Sequence, residues 1–162
     1  IARTAEREKL FKWIGTVAPF QVYMWRLKKR QDIKATNLEE SKHFMVGGVF
    51  NDIKASHLQK MGFKTGKNLE LVRNDELNVK KLYHGHIDLM PFDEFSFSHL
   101  IKKSGLEMGQ AEKLFKIPEI SNELFLAASL KTPDSVVADL KQALSKFKAS
   151  RRYKEIKALY SK

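Results

Sequence analysis

The sequence predicts an α/β fold, and three observations carry that prediction. Short apolar runs of strand length alternate with amphipathic stretches of helical period. Most of those stretches open on Asn, Asp or Thr-Pro-Asp, and some close on Gly. No repeat, low-complexity tract or Pro/Gly/Ser-rich linker interrupts the 162 residues. Alternation of this kind argues for largely parallel strands joined by helices.

Leu10 to Gly15 reads as a strand, and Val17 to Trp25 as another candidate, broken by Pro19 and Gln21. Phe44 to Phe50 reads as a buried strand. Asn51-Asp52 then supplies a helix N-cap, because a short side-chain oxygen accepts an otherwise orphaned N–H. Ile53, His57, Leu58 and Met61 follow at helical spacing, and Gly62 then Phe63 gives the expected stop.

The unit recurs in kind. Leu69 to Val72 reads as a strand, and Asn74 caps a helix carrying Leu77, Leu82 and Tyr83 that ends at Gly85. Ile87 to Met90 reads as a strand ending at Pro91. Asp93 then caps a helix to about Lys103, with Phe95, Leu100 and Ile101 as its apolar positions. Ser121 to Ala128 reads as a strand. Thr132-Pro133-Asp134 opens a helix with a cap, a proline at the first helical position and an acid at the positive end of the dipole. Val136, Val137, Leu140, Ala143, Leu144 and Phe147 form its expected buried face. Tyr153, Ile156, Leu159 and Tyr160 continue the pattern in a last helix.

Composition narrows the function classes. Hydrophobic residues make up 43% of the chain, enough for a packed core, and the mean hydropathy is −0.41. No apolar run approaches the ~18 residues that a membrane span needs. There is no cysteine, which excludes disulfides and thiolate metal sites. The net charge of +11 is uneven. Residues 1–30 hold 8 Lys/Arg against 2 Asp/Glu, residues 31–130 hold 13 against 14, and residues 131–162 hold 9 against 3. The ends are basic and the middle is neutral. This fits a solvated Lys-rich surface, a chain whose two ends share one lobe, or a nucleic-acid footprint, for which Lys28-Lys29-Arg30 beside Trp25 is a weak sign.

Four segments in order resemble bacterial extracellular solute-binding proteins of the amino-acid-binding type, which have the type II periplasmic-binding fold. They are "RTAEREKLFKWIG", "FMVGGVFNDIKASHLQKMGF", "KKLYHGHIDLMPFDE" and "LFLAASLKTPDSVVADLKQALSKFKAS". In turn they are similar to that family's Thr-x-x-Arg segment, its strand-turn-helix, its Leu-x-x-Gly-Arg-x-Asp segment, and its return strand with closing helix. The implied fold is α/β and periplasmic-binding-protein-like of type II, with one complete lobe and a partial second lobe. Residues 20–115 would form the complete lobe 2. Residues 1–19 and 116–162 would form part of lobe 1. The family's first group of strands and helices has no counterpart ahead of Thr4. The expectation is that this segment was removed, is disordered, or is supplied by a second chain that completes lobe 1.

Such proteins trap a ligand by hinge closure. By the resemblance, Arg7 falls at the carboxylate-binding position, where a planar guanidinium fork suits both oxygens. A surface arginine on a basic end is the competing reading. Asp52 opens a helix that faces the ligand in relatives, where a hydroxyl residue is usual; simple helix capping is the competing reading, and the favoured one. Asp93 falls where amino-acid binders place the carboxylate that meets the ligand ammonium, and it too can serve as a cap. Two acids together would favour a cationic ligand. Asp88 reads as structural, and Trp13, Tyr23 and Trp25 read as core more readily than as cleft lining.

Five histidines raise the question of a metal, but the His84/His86 spacing is not the i, i+4 pair of helical zinc sites. No nucleophile–base pair, phosphate loop or paired-acid motif stands out, so neither an enzyme nor a cofactor is expected. The reading is a periplasmic or extracellular protein that captures a small polar, amino-acid-like solute for the permease of an ABC transporter. A ligand-sensing module of the same fold is the alternative, and a basic nucleic-acid-binding protein a more distant one.

Overall fold

The computed structural model describes residues 1–159. The chain forms two compact units. One holds residues 1–20 together with the chain from Asn122 onward, and the other runs from Gln21 to Ser121.

In the first unit, β1 (Phe11–Phe20) pairs antiparallel with β7 (Asn122–Ser129), with register shifts between Trp13 and Gly15 and between Thr16 and Ala18. Ala2 bridges to Leu124 as a second partner of β7, and the Ile1 carbonyl accepts from Phe125 N at 2.8 Å. α5 (Asp134–Ala149) packs on β1, where Leu144 fills the space that a side chain at Gly15 would take. Lys148 donates to the Thr16 hydroxyl at 2.9 Å, and the Tyr153 hydroxyl of α6 (Arg151–Leu159) donates to Val17 O at 3.1 Å.

Two expectations need correction in this unit. Thr132 does not cap α5: its N–H closes a turn onto Ser129 O, Pro133 occupies the cap position, and the helix starts at Asp134, which pairs with Lys12 at 2.6 Å. The expected buried face of α5 is also largely open. Val137 is buried, but Val136, Leu140 and Phe147 are 36–42% exposed, because β1 and α6 cover only part of the helix. Tyr160 lies outside the described residues.

The second unit holds most of the buried core. β2 (Val22–Leu27) runs antiparallel between β5 (Met90–Asp93) and β6 (Ala111–Lys116). β3 (Val46–Val49) and β4 (Leu69–Val72) are parallel, and β3 is tied to the segment before β5 by a Val46–Leu89 bridge. The expectation of largely parallel strands therefore holds only for this part. Apolar periodicity reports burial, which both strand directions satisfy. β5 starts later than expected and includes Pro91, which is tolerated because β5 is the outer strand of its three-stranded sheet.

Trp25, Leu82, Ile87, Met90, Phe92, Phe97 and Ile101 form the center of this core. Trp25 donates its indole N–H to Phe92 O at 3.0 Å and packs on Phe97 with ring centroids 4.5 Å apart. Beside the short α1 (Leu38–Ser41), three longer helices cover the strands: α2 (Ile53–Lys60), α3 (Asp75–His84) and α4 (Glu94–Lys103). Asn74 caps α3 through Leu77 N, and Gly85 ends it at φ 75°, both as the sequence predicts. Within α2 and α3 Leu58, Leu82 and Tyr83 are buried as expected, and other positions differ. Met61 and Leu77 are exposed, while Lys54 and Asn78 are buried. Asp88 is structural: it accepts from Met45 N at 2.9 Å and pairs with Arg30.

Candidate functional site

Three helices of the second unit begin where strands end: α2 follows β3, α3 follows β4 and α4 follows β5. Such helix starts carry free N–H groups and the positive ends of helix dipoles, and the ends of α/β strands are where ligands of open sheets bind. The turn into α2 is tight: Phe50 is 54% exposed, and Asn51 takes a left-handed conformation at φ 60°, one that asparagine tolerates.

Acids stand at all three starts. Asp52 caps α2 by accepting from Lys54 N at 2.8 Å. Asp93 is buried and caps α4 by accepting from Ser96 N at 3.0 Å. Asp75 is the first residue of α3, and its Oδ1 is buried with no hydrogen-bond partner.

Lys54 joins them. Its side chain is buried, a rare state for lysine. It sits in the first turn of α2, the end of a helix dipole that repels a cation. Carboxylates offset that placement. The ammonium lies 3.0 Å from Asp52 Oδ1 and 4.8 Å from the center of the Phe92 ring, within cation–π range. Burial pushes the Asp75 carboxyl above the usual carboxylate range. The charge of Lys54 pulls it back down, and Asp52 and Asp93 push it up again. Among the described residues Asp52 is the carboxylate paired with the Lys54 ammonium, while the charges of Lys54, Asp52 and Asp93 all bear on Asp75, so the set has a negative balance when all are ionized. That arrangement suits a ligand ammonium, guanidinium or other charged donor. It does not suit a metal: among the described residues no three His, Cys, Asp or Glu side chains are grouped to hold one.

Asp52 and Asp93, both named from the sequence, each stand at the start of a helix that follows a strand of the second unit, and the charges of both bear on Asp75. Both are helix caps, and capping leaves carboxylate oxygen available for a further contact. Arg7 lies in the first unit, in the 3-10 helix Ala5–Leu10, with one weak bond to Ala2 O at 3.4 Å. Its neighbor Arg3 is engaged, paired with Glu8 and lying 5.1 Å over Trp13 and 5.2 Å over Phe125.

The sequence reading missed Lys54 and Asp75. Lys54 lies between Ile53 and His57, the positions that the helical spacing picks out, and carries no signal of its own. The available signal was the acid at the start of each of three successive strand–helix units.

Scans against protein-family models and curated proteins find no match. Solved structures do match. A histidine kinase sensor domain with similarity to periplasmic binding proteins aligns with a TM-score of 0.81 at 15% identity, covering 99% of this chain and 67% of its own. An ancestral arginine-binding protein bound to arginine aligns at 0.80 and 17% identity, covering 100% and 69%. The arginine-, lysine-, histidine-binding protein ArtJ from the thermophilic bacterium Geobacillus stearothermophilus aligns at 0.77 and 16% identity, covering 99% and 67%. The chain accordingly has an α/β, type II periplasmic-binding-protein-like fold, with one complete lobe and part of a second.

Proposed function

We propose that this chain is a solute-binding module whose Asp52–Asp75–Asp93 pole holds the cationic group of a small, polar, amino-acid-like solute. The observation that carries this reading is the acid at the start of each of three successive strand–helix units, Asp52, Asp75 and Asp93, with only Asp52 paired to buried Lys54 among the described residues. The names of two structural neighbors, one bound to arginine and one binding arginine, lysine and histidine, support the same ligand class. For Arg7 we propose a carboxylate contact, since no acid claims its guanidinium among the described residues. Binding rather than catalysis fits neighbors named as binding proteins and a sensor domain.

Delivery of the solute to the permease of an ABC transporter, in the periplasm or outside the cell, is the role we infer first. No described helix is long and apolar enough to cross a membrane. Sensing is the second reading, favored by the likeness to a kinase sensor domain. Nucleic-acid binding has only the basic charge behind it, and steeply salt-dependent DNA association would be its mark.

The first unit is proposed to be part of a lobe that further polypeptide completes. Few of its residues are buried, and α5 presents Val136, Leu140 and Phe147 to solvent. About a third of each neighbor's length has no counterpart here, and that is the kind of segment expected to cover this face.

Thermal melts test the ligand class, because a ligand that binds only the folded state raises Tm with its concentration. Arginine, lysine or a diamine should raise Tm and glutamate should not. A rise with glutamate alone, or with none of them, overturns the reading.

A further inference from the structure

The opposite edge of the same parallel strands carries the opposite charge. β3 and β4 begin at Val46 and Leu69, and the segments leading into them enclose a cleft of about 300 Å³ lined by Lys42, His43, Gly62, Lys64, Lys67 and Asn68. No acid lines it. Glu39 pairs with Lys42, while Lys64 and Lys67 have no ion pair among the described residues.

The frame around the cleft is fixed by hydrogen bonds. The Asn68 side chain donates to Lys42 O at 3.0 Å and accepts from Lys64 N at 2.8 Å, tying the two segments together. Lys64 O accepts from Lys67 N, Asn68 N and Leu69 N, and Gly66 turns the loop at φ 80°. The internally bonded backbone of the loop that carries Lys64 and Lys67 lowers the entropy lost when an anion binds them.

We propose that this cleft is an oxyanion site that takes a phosphate group, either free or as the headgroup of an anionic lipid. The exposed ammonium groups of Lys64 and Lys67 beside the cleft can supply charge-assisted hydrogen bonds to phosphate oxygens. Because it lies at the strand starts, it is separate from the aspartate pole at the strand ends.

The test is amide NMR of the whole chain at low salt, titrated with inorganic phosphate, for the wild type, K64Q/K67Q and K28Q/K29Q. The last variant removes equal charge from another exposed part of the same unit. Saturable shifts at residues 62–68 are expected. K64Q/K67Q should weaken binding about tenfold and K28Q/K29Q less than about twofold. Sedimentation with phosphatidylcholine vesicles, with and without phosphatidylglycerol, distinguishes the sources. Binding only to the anionic vesicles that is lost in K64Q/K67Q assigns the headgroup, while shifts with phosphate and no vesicle binding assign the free ion. Absence of both saturable shifts and vesicle binding overturns the proposal, as does equal weakening by the two variants. The amino-acid-dependent rise in Tm should be unchanged in K64Q/K67Q, so the two readings fail separately.

Discussion

The Lys54 ammonium lies 3.0 Å from the Asp52 carboxylate that caps the same helix. A lysine in the first turn of a helix opposes the dipole, and a buried one must also recover its lost hydration. Asp52 and Phe92 provide that compensation here. The pair is therefore read as the internal counter-charge of a carboxylate cluster.

Lys54→Met keeps most of the length and the apolar stem of the side chain while removing the charge and its cation–π contact with Phe92. Asp52, Asp75 and Asp93 then repel one another without compensation. Stability at neutral pH should fall by about 2 kcal/mol, and much of that loss should vanish in acid, where the carboxylates are protonated. Urea melts at both pH values check this. Equal losses at both would indicate a packing defect.

Asp75→Asn should do the reverse. The Asp75 carboxyl is raised chiefly by burial, so ionizing it costs the folded state more than the unfolded one. Its contribution is fully present below the ordinary aspartate value of 3.8 and is lost as pH rises through the higher folded value. The variant should therefore melt a few degrees higher at neutral pH, on the order of 1 kcal/mol, with the gain absent below that ordinary value. It should also bind cationic solutes more weakly, a trade of stability for function.

Much of the fold was legible in the sequence because its punctuation is local. The caps Asp52, Asn74 and Asp93 and the stop at Gly85 act on their own helices, and each performs the expected role. Strand direction was not legible, since β2 meets β5 and β6 only through long-range pairing. The site was half legible. Asp52 and Asp93 announce themselves as caps, whereas the burial of Lys54 depends on Phe92, far along the chain. The open face of α5 escaped the reading because periodicity marks an apolar stripe and does not say what covers it.

His57 carries a buried Nε2 with no partner, and burial holds its pKa below the ordinary 6.5. The neutral ring is favored in the folded state. Its contribution is present above 6.5 and lost as pH falls through the lower folded value. His57→Leu should remove that part of the acid sensitivity. Tm measured across this window should fall less steeply in the variant than in the wild type, and parallel curves would contradict the assignment.

Gly47→Ala tests the packing of α3 on β3. The added Cβ would lie 2.4 Å from Ile87 Cδ1 and 2.8 Å from Asn78 Oδ1, both in the core. A loss of about 1–3 kcal/mol is expected by denaturant melts.

The most direct measurement is calorimetric titration of wild type and Asp93→Asn with L-arginine and L-lysine. Asp93 is buried, sits at the aspartate pole and caps α4, a role that asparagine also fills, so the fold should persist. The account predicts binding by the wild type and a loss of at least about tenfold in the variant, because one carboxylate partner of the ligand cation is gone. Equal affinity in the two proteins, or no binding to a wild type shown to be folded, would contradict it.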